Sequence, residues 1–398
     1  MPRLWVDLTT SWEERGRIAH GTTRVERGIV GAFAALGDPG IGFVAFDRAS
    51  QRFRPITPEA IPAIVAGPVA GNRDRQRAGV WRRRVWGMQA RLARLWPRRP
   101  PPDGAPDPFA DGDQLLLSGE HSRHDFAGLL ARKRAKRLGL AFVMFDLLHV
   151  LPDGDARLAD PDATDLPQTD FIAREADIVL PISRFSAAEF RAHLARRGVP
   201  GPPIHPIRLA GAIPSFGGRP MAVAPGFVLC VGDVVARKNH ALLVRVWAAL
   251  GQAAPPLLIV GRIDLEGNAL VDQVRRDPAL RPRIRFLPNL DDDALVWLYR
   301  HCRFTVFPSR LEGFGLPVAE SLAYGKVCVA SSAAAIPEAG QGCTISLDPD
   351  DSAAWAACIR ALARDDRALA EAEAAIRAFR PVAWSDTVSD LRAVLLPA

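Results

Sequence analysis

The sequence alternates short apolar runs with amphipathic stretches, and it does so in two separate blocks. This alternation is typical of parallel sheets covered by helices. In the first block, strands are predicted at Leu4–Leu8, Phe43–Phe46, Leu115–Leu117, Ala141–Phe145, Ile178–Ile182 and Ile204–Leu209. In the second block, strands are predicted at Phe227–Val231, Leu257–Val260, Ile284–Leu287, Phe304–Phe307 and Val327–Ala330. The pattern predicts an α/β protein with two Rossmann-like, doubly wound domains.

A Gly- and Pro-rich stretch at 211–225 separates the two blocks and is predicted to be a hinge. The predicted domains are 1–210 and 226–380, followed by a C-terminal helix within 381–398 that packs back toward the first domain. Two domains also suit a chain of 398 residues, at ~150 residues per domain. Two doubly wound domains on a hinge would face a central cleft, where such folds bind their ligands.

The first block is interrupted at 48–112, which is predicted to be irregular and to carry an Arg- and Trp-rich insert at about 72–112. The net charge is +7, and residues 73–99 hold ten Arg and one Asp, a local +9 that leaves −2 for the rest. Nucleic-acid binding by the whole fold is therefore not indicated.

Apolar residues at helical spacing predict an amphipathic helix at about 80–96: Trp81, Val85, Met88, Leu92 and Leu95. Two interpretations remain open, a helix docked on the N-terminal domain and a helix lying on an anionic membrane.

The segment Phe307–Glu320, FPSRLEGFGLPVAE, carries the most informative motif. Gly313 and Gly315 supply backbone freedom just before a predicted helix, and amide groups at a helix start bind phosphate. Glu312, and Glu320 on the expected first helical turn, can accept hydrogen bonds from sugar hydroxyls. The alternative is a solvated helix start with capping acids.

A second motif, VGDVVARKN at Val231–Asn239, follows a predicted strand and precedes a helix that Asn239 can cap. Arg237 and Lys238 would project above the sheet, where two fixed cations suit a diphosphate leaving group. A solvated basic loop is the alternative interpretation.

Both motifs resemble those of the retaining GT-B glycosyltransferases of family 4. EGFGLPVAE is similar to the family's EX7E motif, and VGDVVARKN to its VGxxxxRKN stretch. LLIVGR, LPNLDDDALVWLYRHC and ESLAYGKVCVASSAAAIPEAG extend the resemblance over nearly all of 226–340. It implies that Glu312 contacts the transferred sugar, Glu320 holds the ribose, and Arg237 with Lys238 stabilises the diphosphate. The remaining implied sugar-nucleotide contacts are Gly313, Phe314, Gly315, Leu316, Asn289 and Leu290.

The N-terminal half carries weaker resemblances. GTTRVE, from Gly21, is similar to a GxxRV segment in a bacterial polysaccharide branch that includes mannosyl-, rhamnosyl- and glucosyltransferases. FDLLH stands where relatives have HDLxP, with His149 in place of Pro, and ADIVLPISRFS resembles the segment before the domain's last helix. The acceptor-side candidates are Gly21, Arg24, Asp146, His149 and Ser183, with His121 and His124 as further possibilities. A salt bridge for Arg24 and a structural role for His149 remain open.

The resemblance implies retaining, metal-independent transfer of a hexose or deoxyhexose from a nucleotide-diphosphate sugar to a glycan or lipid-linked glycan. Bacterial surface polysaccharide synthesis is the expected setting, with no metal or other cofactor and no nucleic-acid partner. Alternatives are a nucleotide-sugar epimerase, a non-catalytic degenerate transferase acting as a scaffold, and an Arg-rich RNA binder.

No secretory signal or membrane-spanning run of ~18 apolar residues occurs, and five dispersed cysteines suit reduced thiols. These features predict a cytoplasmic protein, with peripheral contact at the inner face of the plasma membrane left open.

Overall fold

The structure, a computed structural model, describes residues 2–66, 108–147, 167–211, 213, 218–288 and 290–396. Their internal contacts divide the chain into two compact units, Met1–Ala141 and Phe142–Ala398. The domain bounds and the hinge expected at 211–225 stay predictions. The helix expected at about 80–96 lies outside the described residues, as does most of the insert around it.

The first sheet has six strands in the order β3-β2-β1-β4-β5-β6. They are β1 (Leu4–Asp7), β2 (Ile41–Asp47), β3 (Arg52–Ile56), β4 (Gln114–Leu117), β5 (Gly139–Met144) and β6 (Ile178–Pro181). The helices that accompany them are α1 (Thr9–Glu13), α2 (Gly21–Ala35), α3 (Ile61–Val65), α4 (Phe126–Lys136), α5 (Pro167–Glu175) and α6 (Arg184–Arg197). β1 is buried along its length and pairs in parallel with β2 and β4. Its end, at the carboxyl edge of the sheet, is where such folds place polar site residues.

Two expectations for this half were wrong. Residues 48–112 are not irregular throughout, because β3 pairs antiparallel with β2 and α3 follows soon after. No strand spans 204–209, where only Ile204 forms an isolated bridge, to Val179. The amides of His205 and Ile207 donate to β6 carbonyls, but Pro206 between them has no N–H to continue a ladder.

The second sheet is entirely parallel, in the order β12-β11-β10-β7-β8-β9. Its strands are β7 (Val228–Val231), β8 (Leu257–Val260), β9 (Ile284–Leu287), β10 (Phe304–Phe307), β11 (Cys328–Ser331) and β12 (Ile345–Leu347). The helices are α7 (His240–Leu250), α8 (Leu265–Arg276), α9 (Asp292–His301), α10 (Leu316–Ala323), α11 (Ile336–Gly340), α12 (Ser352–Arg364), α13 (Asp366–Ile376) and α14 (Trp384–Leu395). The predicted α/β architecture with two Rossmann-like sheets is therefore confirmed.

The largest side chains in the core of this sheet are Trp247 and Trp355, both fully buried. Their indole N–H groups donate to the carbonyls of Pro255 at 2.7 Å and Asp348 at 2.9 Å. The core thus gains two large apolar surfaces, and the N–H of each of these two indoles is paired. In the described part of the chain, no helix is both long and apolar enough to cross a membrane.

Candidate functional site

The second sheet brings Arg237, Lys238 and Glu312 together at the carboxyl ends of β7 and β10. Arg237 and Lys238 lie on a 3-10 turn just after β7. Lys238 Nζ lies 2.6 Å and Arg237 Nη1 3.0 Å from Glu312 Oε1. Ser309 Oγ donates to the same oxygen at 2.7 Å. We call Arg237, Lys238 and Glu312 the cationic cluster.

The electrostatics of the cationic cluster leave an excess of positive charge. Burial alone would raise the pKa of Glu312, but the charges of Lys238 and Arg237 outweigh it and hold this pKa below its usual range. The carboxylate is therefore ionised and balances only one of the two cations. Burial, followed by the charge of Lys238, lowers the pKa of the adjacent His240 to about 3, so that imidazole adds no charge at neutral pH. Such a cluster attracts an anion, and Arg and Lys are the residues that bind phosphate oxygens.

Backbone and amide contacts hold the turn against the segment after β10. The amide of Arg310 donates to Arg237 O at 2.9 Å, and Arg237 Nη1 donates to Leu311 O at 2.9 Å. Asn239 stands at the start of α7 but makes no side-chain cap. It instead donates through Nδ2 to the carbonyls of Pro308 and Pro349, at 3.2 and 2.9 Å. The predicted cap was wrong because Asn239 Oδ1, the atom that a cap would use, instead accepts a hydrogen bond from Arg310 Nη1 at 2.7 Å.

Two glycines form the floor beneath Lys238. Gly261 has φ 157°, and a Cβ on it would overlap the carbonyl of Gly232. Gly232 has φ 154°, and a Cβ there would press on the Lys238 side chain, whose Cδ and Cε lie 3.3 and 3.4 Å away. Lys238 Nζ lies 4.9 Å from the centre of the Phe307 ring. The position of the ammonium group thus depends on bare backbone at the ends of β7 and β8.

The glycine loop, residues 312–315, leads directly into α10. Gly315 has φ 108° and occupies the N-cap position, with Pro317 in the first turn. Leu316 is the first residue of the helix, and Phe314 packs partly buried against the core. A helix start leaves amide groups without intrahelical partners, and these favour an anion.

Glu320 does not lie on the first turn of α10, as was expected, but is the helix's fifth residue and 2% exposed. Its Oε2 accepts a hydrogen bond of 2.7 Å from Tyr299 Oη, and the Tyr299 ring stacks on that of Tyr324 at 5.4 Å. The first-turn prediction was wrong because α10 begins at Leu316 and one turn takes 3.6 residues, so Glu320 falls on the second turn. Leu290 packs against the same core group as Tyr299, whereas Asn289 lies outside the described residues.

Two acceptor-side candidates lie near the glycine loop in the unit Phe142–Ala398. Asp146 follows β5, and its Cβ is 3.0 Å from where a Cβ on Gly313 would stand. Ser183 follows β6 and caps α6, because its Oγ accepts the amide of Ser186 at 2.9 Å. His149 lies outside the described residues.

The other two candidates lie in the unit Met1–Ala141. Gly21 begins α2, and Arg24 is half-buried in its first turn.

A buried polar cluster in the unit Met1–Ala141 joins His124, a candidate from the sequence, to Asp7 and Glu26, which the sequence did not single out. Asp7 ends β1, and its Oδ2 lies 3.2 Å from Nε2 of the buried His124. Glu26, in α2, accepts hydrogen bonds from the amide and hydroxyl of Ser11 and from the amide of Thr10. Burial, followed by the charge of Asp7, raises the pKa of Glu26 to about 8. For Asp7, the only sequence signal was its position at a strand end.

Among the described residues, no three His, Cys, Asp or Glu side chains meet in a way that could hold a metal ion.

Comparison with known sequences identifies one matching family and several relatives. Residues 225–365 match the profile of the family described as Glycosyl transferases group 1. Over 245 residues, the chain is 28% identical to serotype-specific mannosyltransferase WbdA of Escherichia coli, covering 55% of this chain and 29% of WbdA. Over 144 residues, it is 32% identical to the Escherichia coli O-antigen chain mannosyltransferase B, covering 35% of this chain and 38% of that protein. The chain thus spans well under half the length of these relatives.

Comparison with solved structures covers the whole chain. Anabaena Alr3699/HepE, solved in complex with UDP and glucose, aligns over 100% of both chains with a TM-score of 0.64 and 14% identity. Sucrose-phosphate synthase from Thermosynechococcus elongatus aligns over 99% of this chain and 98% of its own, with a TM-score of 0.60 and 17% identity. At such low identity the likeness concerns the fold, which is the GT-B arrangement of two Rossmann-like domains.

Proposed function

We propose that the chain is a glycosyltransferase that moves a sugar from a nucleotide-diphosphate sugar to a glycan or lipid-linked glycan. The observation that carries the proposal is the cationic cluster beside the glycine loop, at the carboxyl ends of β7 and β10. An excess positive charge next to a helix start suits a diphosphate, and an ionised carboxylate alongside suits sugar hydroxyls. The match of residues 225–365 to Glycosyl transferases group 1 supports the same chemistry.

In the proposed reaction, breakage of the glycosidic bond leaves growing negative charge on the departing diphosphate. Arg237 and Lys238 stabilise that charge and need little rearrangement to do so, because both are already fixed by Glu312 and by backbone contacts. Glu312 orients the transferred sugar, and Glu320 holds the nucleotide ribose. The acceptor hydroxyl attacks the face that the leaving group vacates, passing its proton to a phosphate oxygen of the departing group, so the sugar retains its configuration. No protein nucleophile and no metal ion are required.

The proposed substrate is a hexose, with mannose the first choice, and the proposed setting is bacterial surface polysaccharide synthesis. Both choices rest on the similarity to the two Escherichia coli mannosyltransferases. We also propose a cytoplasmic location, and peripheral contact of about 80–96 with anionic membrane. The membrane contact rests on the sequence alone, because those residues lie outside the described part of the chain.

The proposed function is tested by a hydrolysis and transfer screen over UDP-, GDP-, dTDP- and ADP-sugars. We expect one nucleotide class to be consumed, with the anomeric configuration of the donor kept in the product, as read by NMR. Excess EDTA should leave the rate unchanged, because two side-chain cations take the role of the metal. Absence of turnover with every donor, in the presence of mannan and lipid-linked acceptors, would refute the proposal.

Glu320→Ala is expected to weaken binding of the nucleoside diphosphate by about tenfold or more, because a ribose hydroxyl loses a charged acceptor. Isothermal titration with UDP and GDP measures this effect. Tyr299→Phe is the control, since it removes only the hydroxyl that donates to Glu320 Oε2 and should have a smaller effect. Wild-type affinity in Glu320→Ala would remove the ribose role of Glu320.

A further inference from the structure

The start of α6 contacts the glycine loop through the hydroxyl of Ser186. Ser186 Oγ lies 3.0 Å from the carbonyl of Phe145 and 3.1 Å from that of Gly313. Ser183 Oγ lies 3.0 Å from Ser186 Oγ and can donate to it, which orients the Ser186 proton toward the carbonyls. All these groups lie within the unit Phe142–Ala398. Ser186 is 1% exposed, so water does not compete for these bonds.

The same turn is held by a carboxylate from α11. The amide of Arg184, the first residue of α6, donates to Oε1 and Oε2 of Glu338 at 3.0 and 2.9 Å. A carboxylate is favoured at this position because the start of a 14-residue helix is its positive end. The first turn of α6 is thus fixed both to the glycine loop and to the segment after β11.

Gly313 packs so closely in this contact that there is no space for a side chain on it. A Cβ on this residue would overlap the carbonyl of Phe145 and stand 3.0 Å from Asp146 Cβ. Backbone therefore packs directly on backbone here, and Gly313 immediately follows Glu312 of the cationic cluster. A shift of the Gly313 carbonyl would carry Glu312 on one side and the start of α10 on the other.

We propose that Ser186 is a positioning residue for the glycine loop, holding Gly313 so that Glu312 and the amides at the start of α10 keep their places. Glu338 is the second anchor of the same turn. The catalytic consequence of this role rests on the proposed function, whereas the anchoring itself does not. Ser186 makes no contact with the reacting atoms and acts only through the loop.

The test is hydrogen exchange in the full chain without substrate, followed on the amides of residues 307–320. Ser186→Ala should speed their exchange by about three- to tenfold, the effect of losing one intramolecular hydrogen bond. Ser186→Thr, which keeps the hydroxyl, should restore much of the protection. Ser118→Ala is the matched control, because Ser118 is equally buried and also donates to a backbone carbonyl, that of Asp7 at 3.2 Å.

If Ser186→Ala exchanged no faster than wild type in 307–320, or no faster than Ser118→Ala, the anchor would be refuted whatever the activity. Glu338→Gln repeats the exchange test from the second anchor and decides the matter should Ser186→Ala fail to fold.

In the active enzyme, Ser186→Ala should lower kcat by a similar factor and weaken the Kd for UDP or GDP by no more than that factor, because Glu312 and the amides at the start of α10 shift together. Loss of nucleotide affinity without loss of kcat would contradict the role in placing Glu312. If the wild-type protein were inactive with every sugar nucleotide, the proposed function would be refuted. The exchange result, and with it the anchoring role of Ser186, would still hold.

Discussion

Lys238→Ala is expected to lower turnover by about 100-fold or more, and Arg237→Ala to do the same. Each removes a charge-assisted contact that strengthens as the diphosphate leaves, a loss worth roughly 2–4 kcal/mol of transition-state stabilisation. Lys238 should be the more sensitive, because its side chain is 12% exposed against 30% for Arg237 and water cannot easily replace it. The measurement is kcat with the preferred sugar nucleotide, with circular dichroism confirming the fold.

Arg303→Gln is the matched control for these two variants. Arg303 also pairs with a carboxylate, that of Asp366 at 2.6 Å, but it stands just before β10, at the opposite edge of the sheet from Glu312. Its replacement should leave turnover near the wild-type rate. Near-normal rates in both Lys238→Ala and Arg237→Ala would remove the cationic cluster from the mechanism.

The free energy of unfolding is expected to fall as the pH rises from about 5 to 8. The pKa of Glu26 is raised from 4.5 to about 8 by burial and by Asp7. The folded chain therefore keeps a proton that the unfolded chain has released, so raising the pH favours unfolding. The slope reaches at most about 1.4 kcal/mol per pH unit in this window and disappears above the folded pKa. Urea titrations at pH 5, 6.5 and 8 measure it.

Glu26→Gln should flatten this dependence, because the amide carries no titrating proton. Glu59→Gln changes an exposed carboxylate in the same unit, and this variant should keep the wild-type slope. A slope in Glu26→Gln equal to that of the wild type would show that Glu26 is ionised in the folded protein.

The sequence predicted secondary structure best where the length of an apolar run matches the length of the buried element. β8, β9 and β10 have the predicted bounds, because each apolar run fills one complete strand. β3 was missed because its RFRPI sequence lacks an apolar run and contains a proline, which suits an edge strand. The formation of an edge strand depends on pairing with the neighbouring strand rather than on the strand's own composition.

For the site, the motifs predicted which residues meet but not what holds them. The pairing of Arg237 and Lys238 with Glu312 joins positions more than 70 residues apart, and only the order of the strands decides it. The bond from Tyr299 to Glu320 and the contact of Ser186 with Gly313 are likewise long-range. Ser186 ends the stretch ADIVLPISRFS and Tyr299 lies within LPNLDDDALVWLYRHC. Neither stretch indicates the distant partner, so the sequence alone could not identify either role.

The bare backbone beneath Lys238 limits how this protein could be re-engineered. A side chain on Gly261 would meet the carbonyl of Gly232, and one on Gly232 would press on the Lys238 side chain. A library randomised at these two positions should therefore return glycine among its active members, however the selection is set. Changes meant to alter the substrate therefore belong at other positions, where a new side chain leaves the backbone beneath Lys238 unchanged.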